Sequence, residues 1–299
     1  RSRSDVAICY ISDSVDQSVL NRMRKLIQSI DVDALTMNIE SLAECMFTHK
    51  WINPFPKFKY SERPDTATAA ILDGNIVIMV DNSPAVMIIP ASIFDIIEEA
   101  DDFNFSPMIG SYLRITRFFF SIVTWILTPL WLLFVNNPDW VPEFMKFVLI
   151  TDDITVPMLL QLLILELAVD GLKLAAVNTP TMLSTPLSIV AGIVVGEYAV
   201  SSGWFNPEAL LYMAVVTVGT YGQTNFEMGY AFKFLRVLTL ILTQIFNLGG
   251  FIAGVVISVL MIAFNRTITG KSYIYPLIPW DGKMLKRKVF RVRLPHSYK

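Results

Sequence analysis

"LLQLLILELAVDGLKL", Leu159 to Leu174, decides how the rest of the chain is read. It has the apolar content of a membrane-spanning helix, yet it contains Glu166, Asp170 and Lys173. On a helix turning about 100° per residue, Glu166 and Asp170 lie about 40° apart with Lys173 beside them, so the three charges share one narrow face. A charge at mid-membrane costs at least about 2.5 to 3.5 kcal/mol, so such a face turns toward protein or water. The face has two readings. One is a structural ion pair in which Lys173 neutralises Glu166 or Asp170. The other is a water-lined ion path, to which Glu197 in "GIVVGEYAV" also belongs.

The surroundings of this stretch support a membrane protein. A mean hydropathy of +0.52 and 54% hydrophobic residues are high for a soluble chain of 299 residues. No run before Arg114 approaches the roughly 20 residues a spanning helix needs, whereas Arg117 to Phe264 holds several. Formal charge follows the same division: −7 over residues 1–113, −3 over 114–264 and +8 over 265–299. A basic tail suits the cytoplasmic face of a membrane and contact with anionic lipid, and nucleic acid is not expected as its partner.

Upstream, "DVAICYI" alternates like a strand, and a helix capped by Ser14 follows, with a second over Asn38 to Phe47. These form a small α/β lobe over residues 1–53. Residues 54–113 form a second α+β lobe: a helix ended by Gly74, two strands around Asp81-Asn82-Ser83-Pro84, and a helix begun by Pro90. Cys9 and Cys45 lack CxxC spacing and read as reduced, buried thiols. No secretory leader is read. Because the chain opens on "RSRSDV" without an initiator Met, that start says nothing about targeting.

Downstream, spans are expected over Ile115–Val135, Val156–Ala176, Leu187–Trp204 and Ala209–Gly222, with an interfacial piece at Phe144–Ile150. The last apolar stretch, Phe234–Phe264, is broken by "NLGG". It is either one long tilted helix or two helices hinged at Gly249 and Gly250. The hinge is the expectation, since it leaves Lys233, Arg236 and the basic tail on one side of the membrane. The fold expected is therefore an α-helical polytopic membrane domain over 114–264, with about four to six membrane helices. An α+β soluble N-terminal region precedes it and a basic cytoplasmic tail, 265–299, follows. Trp131, Trp140 and Trp204 are expected at the outer interface and Trp280 at the inner one.

Asp139, Glu143, Asp152 and Asp153 in the outer loop, facing Lys146 alone, would concentrate cations at a pore mouth. Gly192 with Gly196, and Gly250 with Gly254, allow helices to approach closely, within one chain or between copies. "TITGKS", Thr267–Ser272, lacks the first glycine of a phosphate-binding loop, Asn265 standing in its place. His49 and His296 are the only histidines, so no zinc cluster or Ser-His-acid set can be built. No cofactor and no enzymatic activity are expected.

"RPDTATAAILDGNIVIMVDNSPAVMIIP", with Arg63-Pro64-Asp65, Gly74, Asp81, Pro84 and Pro90, resembles the A subunits of bacterial spore germinant receptors, the GerA family. "GWFNPEALLYMAVVTVGTYGQTNFEMGYAFKFLR" and "YIYPLIPWDGK" extend the resemblance, which covers roughly Phe55 to Asp281. The family pattern often has a proline where this chain has Thr224. The positive-inside rule, with the hinge, puts both termini on the cytoplasmic side; the resemblance implies a spore inner-membrane protein that assembles as a homo-oligomeric ring beside other germination membrane proteins and takes part in ion release. A receptor or scaffold subunit that relays a signal without conducting is the alternative. A membrane enzyme or secondary transporter is less well supported, for want of a catalytic set or inverted repeat.

Overall fold

A computed structural model describes residues 4–46, 53–152, 154–178 and 192–291. His49, Asp153, His296, Phe47 and the first part of the expected third span lie outside the described residues. The described chain is mostly helical, with one small antiparallel sheet. It divides into two compact units: residues 1–116, 224–228 and 260–299 form the first, and residues 117–223 and 229–259 the second.

The first unit is built on strands β1 (Val6–Cys9), β2 (Lys59–Ser61), β3 (Ile76–Val80) and β4 (Val86–Ile89), in the order β1-β3-β4-β2. Because β1 pairs with β3, Val6 opposite Val80, one sheet runs across the boundary expected near residue 53. Its two faces are sorted by the two-residue period of the strands. Ile76, Ile78, Met87 and Ile89 pack on helices α1 (Gln17–Gln28) and α2 (Ile39–Met46), together with Leu20, Met23 and Leu42. Val77 and Ile88 face the other way, onto Ala67 of α3 (Pro64–Leu72). Each fully buried Ile or Leu of this kind contributes about 1.5–3 kcal/mol.

Local chemistry corrects three expectations. Helix α1 is capped by Asp16 and not Ser14, because the Asp16 carboxylate accepts from the Ser18 amide at 3.0 Å. The helix after Pro90 begins only at Ile93 (α4, Ile93–Ile97), where Ser92 and Asp95 form a capping box. Cys9 and Cys45 are free, as expected, but only half-buried. Gly74, at φ +86°, does end the chain's turn out of α3, a conformation that costs glycine nothing.

The C-terminal helix of this unit, α9 (Gly282–Val289), carries Lys288 onto Asp95 at 2.5 Å and Glu98 at 3.3 Å. Burial opposes charge on both sides of this pair, but the Lys288 ammonium still holds the Asp95 carboxyl below its ordinary value of 3.8, while Asp95 and Glu98 lift Lys288 above 10.5. The Asp95 contribution is present above pH 3.8 and is lost as pH falls through its lowered value; that of Lys288 is present below pH 10.5 and is lost above it. Lys288→Met should therefore lower the thermal midpoint at neutral pH and flatten its decline toward about pH 3. A variant whose acid limb matched the parent's would show that the pair does not stabilise the fold.

The second unit contains most of α5 (Pro107–Asn136), α6 (Met158–Asn178), a helical segment over residues 192–201, α7 (Pro207–Tyr221) and most of α8 (Phe226–Ala263). Of the described helices, α5 and α8 are long and apolar enough to cross a membrane. Helix α7, with 15 residues, spans about 22 Å. Trp131, expected at an interface, is instead buried in the core of this unit. Its indole N–H donates to the Val148 carbonyl at 2.8 Å and its ring stacks on Tyr212 at 4.7 Å. Trp140 and Trp204 are exposed.

Helix α8 is broken at Asn247, where φ is +52° and ψ −129°. The two halves then lie against each other. A Cβ built on Gly254 would sit 2.9 Å from the Thr239 Cα, and one on Gly250 would land on the Leu242 carbonyl oxygen. Fifteen residues of straight helix would hold Thr239 and Gly254 about 22 Å apart. The break is thus a fold-back whose pivot is Asn247, two residues before the expected glycines. Asn tolerates positive φ better than other non-glycine residues. Here its side-chain amide is also tied to that of Asn137 by two reciprocal hydrogen bonds of 2.6 and 2.9 Å.

Candidate functional site

The charged face of α6 meets α5 and α8 inside the second unit. Glu166 is 4% exposed, and both of its oxygens accept from Arg236 of α8, Oε2 from Nη2 at 2.8 Å. Arg236 is 3% exposed and donates its remaining nitrogen to the Thr124 carbonyl of α5. Lys233, one turn earlier on α8, donates to Asp170, reaches the Glu166 backbone carbonyl at 3.0 Å and lies 3.5 Å from its carboxylate. Two acids at i, i+4 on α6 thus face two bases at i, i+3 on α8. The planar guanidinium matches the carboxylate with two parallel hydrogen bonds, the geometry in which such pairs are strongest.

Lys173 does not join this set. Its ammonium lies 5.1 Å from the Tyr221 ring centroid and 5.7 Å from that of Tyr230, a cation–π arrangement. The ion pair read from α6 alone, with Lys173 as the neutralising base, is therefore replaced by one in which the bases come from α8. Lys173 stands a full turn past Asp170, while the α8 bases approach both acids from the side. One oxygen remains over: Oδ1 of Asp170 is buried with no hydrogen-bond partner among the described residues.

The other residues singled out from the sequence are dispersed. Glu197 is exposed on a wide, π-type turn over Gly192–Tyr198, without an ion pair among the described residues. Asp139 and Asp152 are exposed, and Glu143 pairs with Lys146 at 3.0 Å on the surface. Nothing among the described residues approaches Gly192 or Gly196, whereas Gly250 and Gly254 close the α8 fold-back. In the sequence Lys233, Arg236 and Arg114 read as charges flanking spans. Arg114 is instead 2% exposed and binds Glu98 and Asp102 within the first unit. The spacing of Lys233 and Arg236, one helical turn apart beside an apolar run, marks a charged face on α8 but does not say which acids that face meets. Gln161 was also missed: it is fully buried and exchanges hydrogen bonds of 2.8 Å with both the side chain and the backbone amide of Asn206.

Helices of membrane-spanning length, cross-linked by buried ion pairs and joined to a small α+β unit, set the class of protein. Within that class the chain matches, over residues 1–299, the family described as Bacillus/Clostridium GerA spore germination protein. It belongs to the GerA family. It is 36% identical to Stage V sporulation protein AF of Bacillus subtilis (strain 168) over 295 residues, covering 99% of this chain and 59% of that protein. Spore germination protein KA of the same organism is 26% identical, covering 97% of this chain and 54% of its own length. The uncharacterized membrane protein YfkQ, also of Bacillus subtilis, is 26% identical, covering 96% and 56%. The chain thus spans between half and three fifths of these relatives. No solved structure matches it.

Proposed function

We propose that this chain is the greater part of a membrane subunit acting in spore germination, which assembles with copies of itself into an ion-conducting ring in the spore inner membrane. The observation that carries the reading is the α8 fold-back. It has no charged residue between Val237 and Phe264, yet it leaves Ile245, Phe246, Ile252 and Val256 exposed within the single chain. Such a surface requires lipid or neighbouring copies around it. In this reading the membrane part crosses four to six times, counting α5, α6, the segment before Trp204, α7 and the two halves of α8, with both termini cytoplasmic. Lipid and other germination membrane proteins are its partners, and it has no enzymatic activity.

Within the ring, Glu166, Asp170, Lys233 and Arg236 neutralise one another and close the subunit. The exposed Asp139, Glu143, Asp152 and Glu197, with Asp153, draw cations to the path, since an acidic rim raises local cation concentration. Full neutralisation of Glu166 equally favours a second reading, a non-conducting subunit that relays a signal through its clamped helices. The discriminating measurement is the reversal potential of the purified protein in planar bilayers under a salt gradient. Cation-selective current, reduced in selectivity by Asp139→Asn with Asp152→Asn, is the expected result. Assembled protein without current would overturn the channel and leave the relay.

A further inference from the structure

The sheet of the first unit ends on β1, whose register with β3 leaves one side of the strand open. The Asp81 amide donates to the Asp5 carbonyl at 2.9 Å and Val6 stands opposite Val80, so in this antiparallel ladder Asp5, Ala7 and Cys9 turn their backbone groups toward β3. Val6 and Ile8 turn theirs outward, where they have no hydrogen-bond partner among the described residues. Natural sheets commonly blunt such an edge with a lysine, a proline or a bulge. Val6-Ala7-Ile8-Cys9, in unbroken register with β3, has none of these. On the face where Val6 and Ile8 join the core, an apolar groove of about 190 Å³ adjoins the strand, lined by Val6, Ile27, Ile30, Val32 and Leu35. Val32 is 48% exposed there. The rim is acidic: Asp5 and Asp31, each next in sequence to lining residues, are exposed and have no ion pair among the described residues.

We propose that β1 and this groove take up an extended segment of a partner protein as an added strand, with apolar residues at alternate positions and basic residues between them. Laid along β1, such a strand satisfies the outward N–H and C=O groups of Val6 and Ile8, the main-chain bonds from which strand addition draws its affinity. Cross-strand partners lie on the same face, so its residues opposite Val6 and Ile8 point toward the groove. A dry cavity of roughly 150 Å³ accommodates benzene, so the groove has room for a large apolar side chain. The intervening residues fall on the face of Asp5, and basic side chains there answer the acidic rim. A second copy of β1 is a poor complement, since Asp5 to Tyr10 carries no base to offer. The surface lies outside the charge cluster of the second unit and does not depend on conduction.

The test uses the whole chain in neutral detergent micelles and three fluorescein-labelled peptides, read by anisotropy against empty micelles. KVKVKVK is the probe, VKKVKKV has its composition without the alternation, and EVEVEVE has the alternation with the wrong charge. KVKVKVK should bind at least about tenfold tighter than either control. Its binding should slow amide hydrogen exchange at Val6 and Ile8 and leave Ala7, already bonded to β3, unchanged. Val6→Pro, which deletes one outward N–H and keeps the bonds to β3, should weaken it about fivefold. Val32→Lys, which sets a charge in the groove from an exposed position, should weaken it about tenfold with an unchanged thermal midpoint. Equal affinity for KVKVKVK and VKKVKKV, no binding of KVKVKVK, or affinity unaltered by both variants would each overturn the proposal. So would exchange at Val6 and Ile8 already slow without peptide, as pairing between two copies would make it.

Discussion

Glu166→Leu is expected to cost the helical unit about 3–5 kcal/mol, because it leaves Arg236 buried at 3% exposure with no carboxylate to answer it. The loss exceeds what one hydrogen bond is worth. Taking a charge into a low-dielectric interior costs several kcal/mol per ion, and only the partner's proximity offsets it. Glu166→Leu combined with Arg236→Met should recover most of the stability, since the remaining Lys233–Asp170 pair is balanced and apolar side chains of similar volume fill the space. The measurement is the denaturant midpoint of detergent-purified protein for the two singles and the double. Equal losses in the single and the double would show that packing at Glu166, and not charge compensation, holds α6 to α8. Lys173→Met should by contrast change the stability by no more than about 1 kcal/mol, because cation–π contacts are lost and no ion pair is broken.

The second large effect is at the α8 fold-back and separates two adjacent glycines. Gly250→Ala should disable the fold-back, because the added Cβ falls on the Leu242 carbonyl oxygen, a backbone atom that cannot rotate away. We expect a cost of about 3 kcal/mol or more and a loss of monodisperse protein on size exclusion. Gly249→Ala, with nothing within 4 Å of its Cβ, should be tolerated and could even gain a few tenths of a kcal/mol from helix propensity. Gly254→Ala falls on the severe side, against Thr239. Equal behaviour of Gly249→Ala and Gly250→Ala would show that the two halves of α8 do not meet as described.

These contrasts mark where reading the sequence stops. That α6 bears a charged face is legible from three residues at helical spacing, and that such a face must turn inward follows from the cost of burying charge. Which bases meet it is not legible, because Lys233 lies 67 residues from Glu166 and nothing in the local period links the two. The same holds for Lys288, which reaches Glu98 across 190 residues of sequence. The break in α8 is a middle case. An apolar run too long for one span, interrupted near its middle, announces a hinge, but Asn247 became the pivot through its amide pair with Asn137, 110 residues away.

By itself the sequence determined what local chemistry can determine: the division between an acidic α+β part and an apolar helical part, the strands around Asp81–Pro84, the turn at Gly74, and the helical runs on either side of "NLGG". Each rests on periodicity, on a cap or turn residue, or on the length of an apolar run, all properties of a few neighbouring residues. Only the tertiary structure decided that β1 joins β3 in one sheet, that Glu166 belongs to Arg236 and not to Lys173, that Trp131 is core, and that an apolar groove adjoins the open edge of β1. Partners in such contacts are chosen by the distance and desolvation of groups brought together from far apart in the chain, and a side chain's type records only that it needs a partner, not which one it finds.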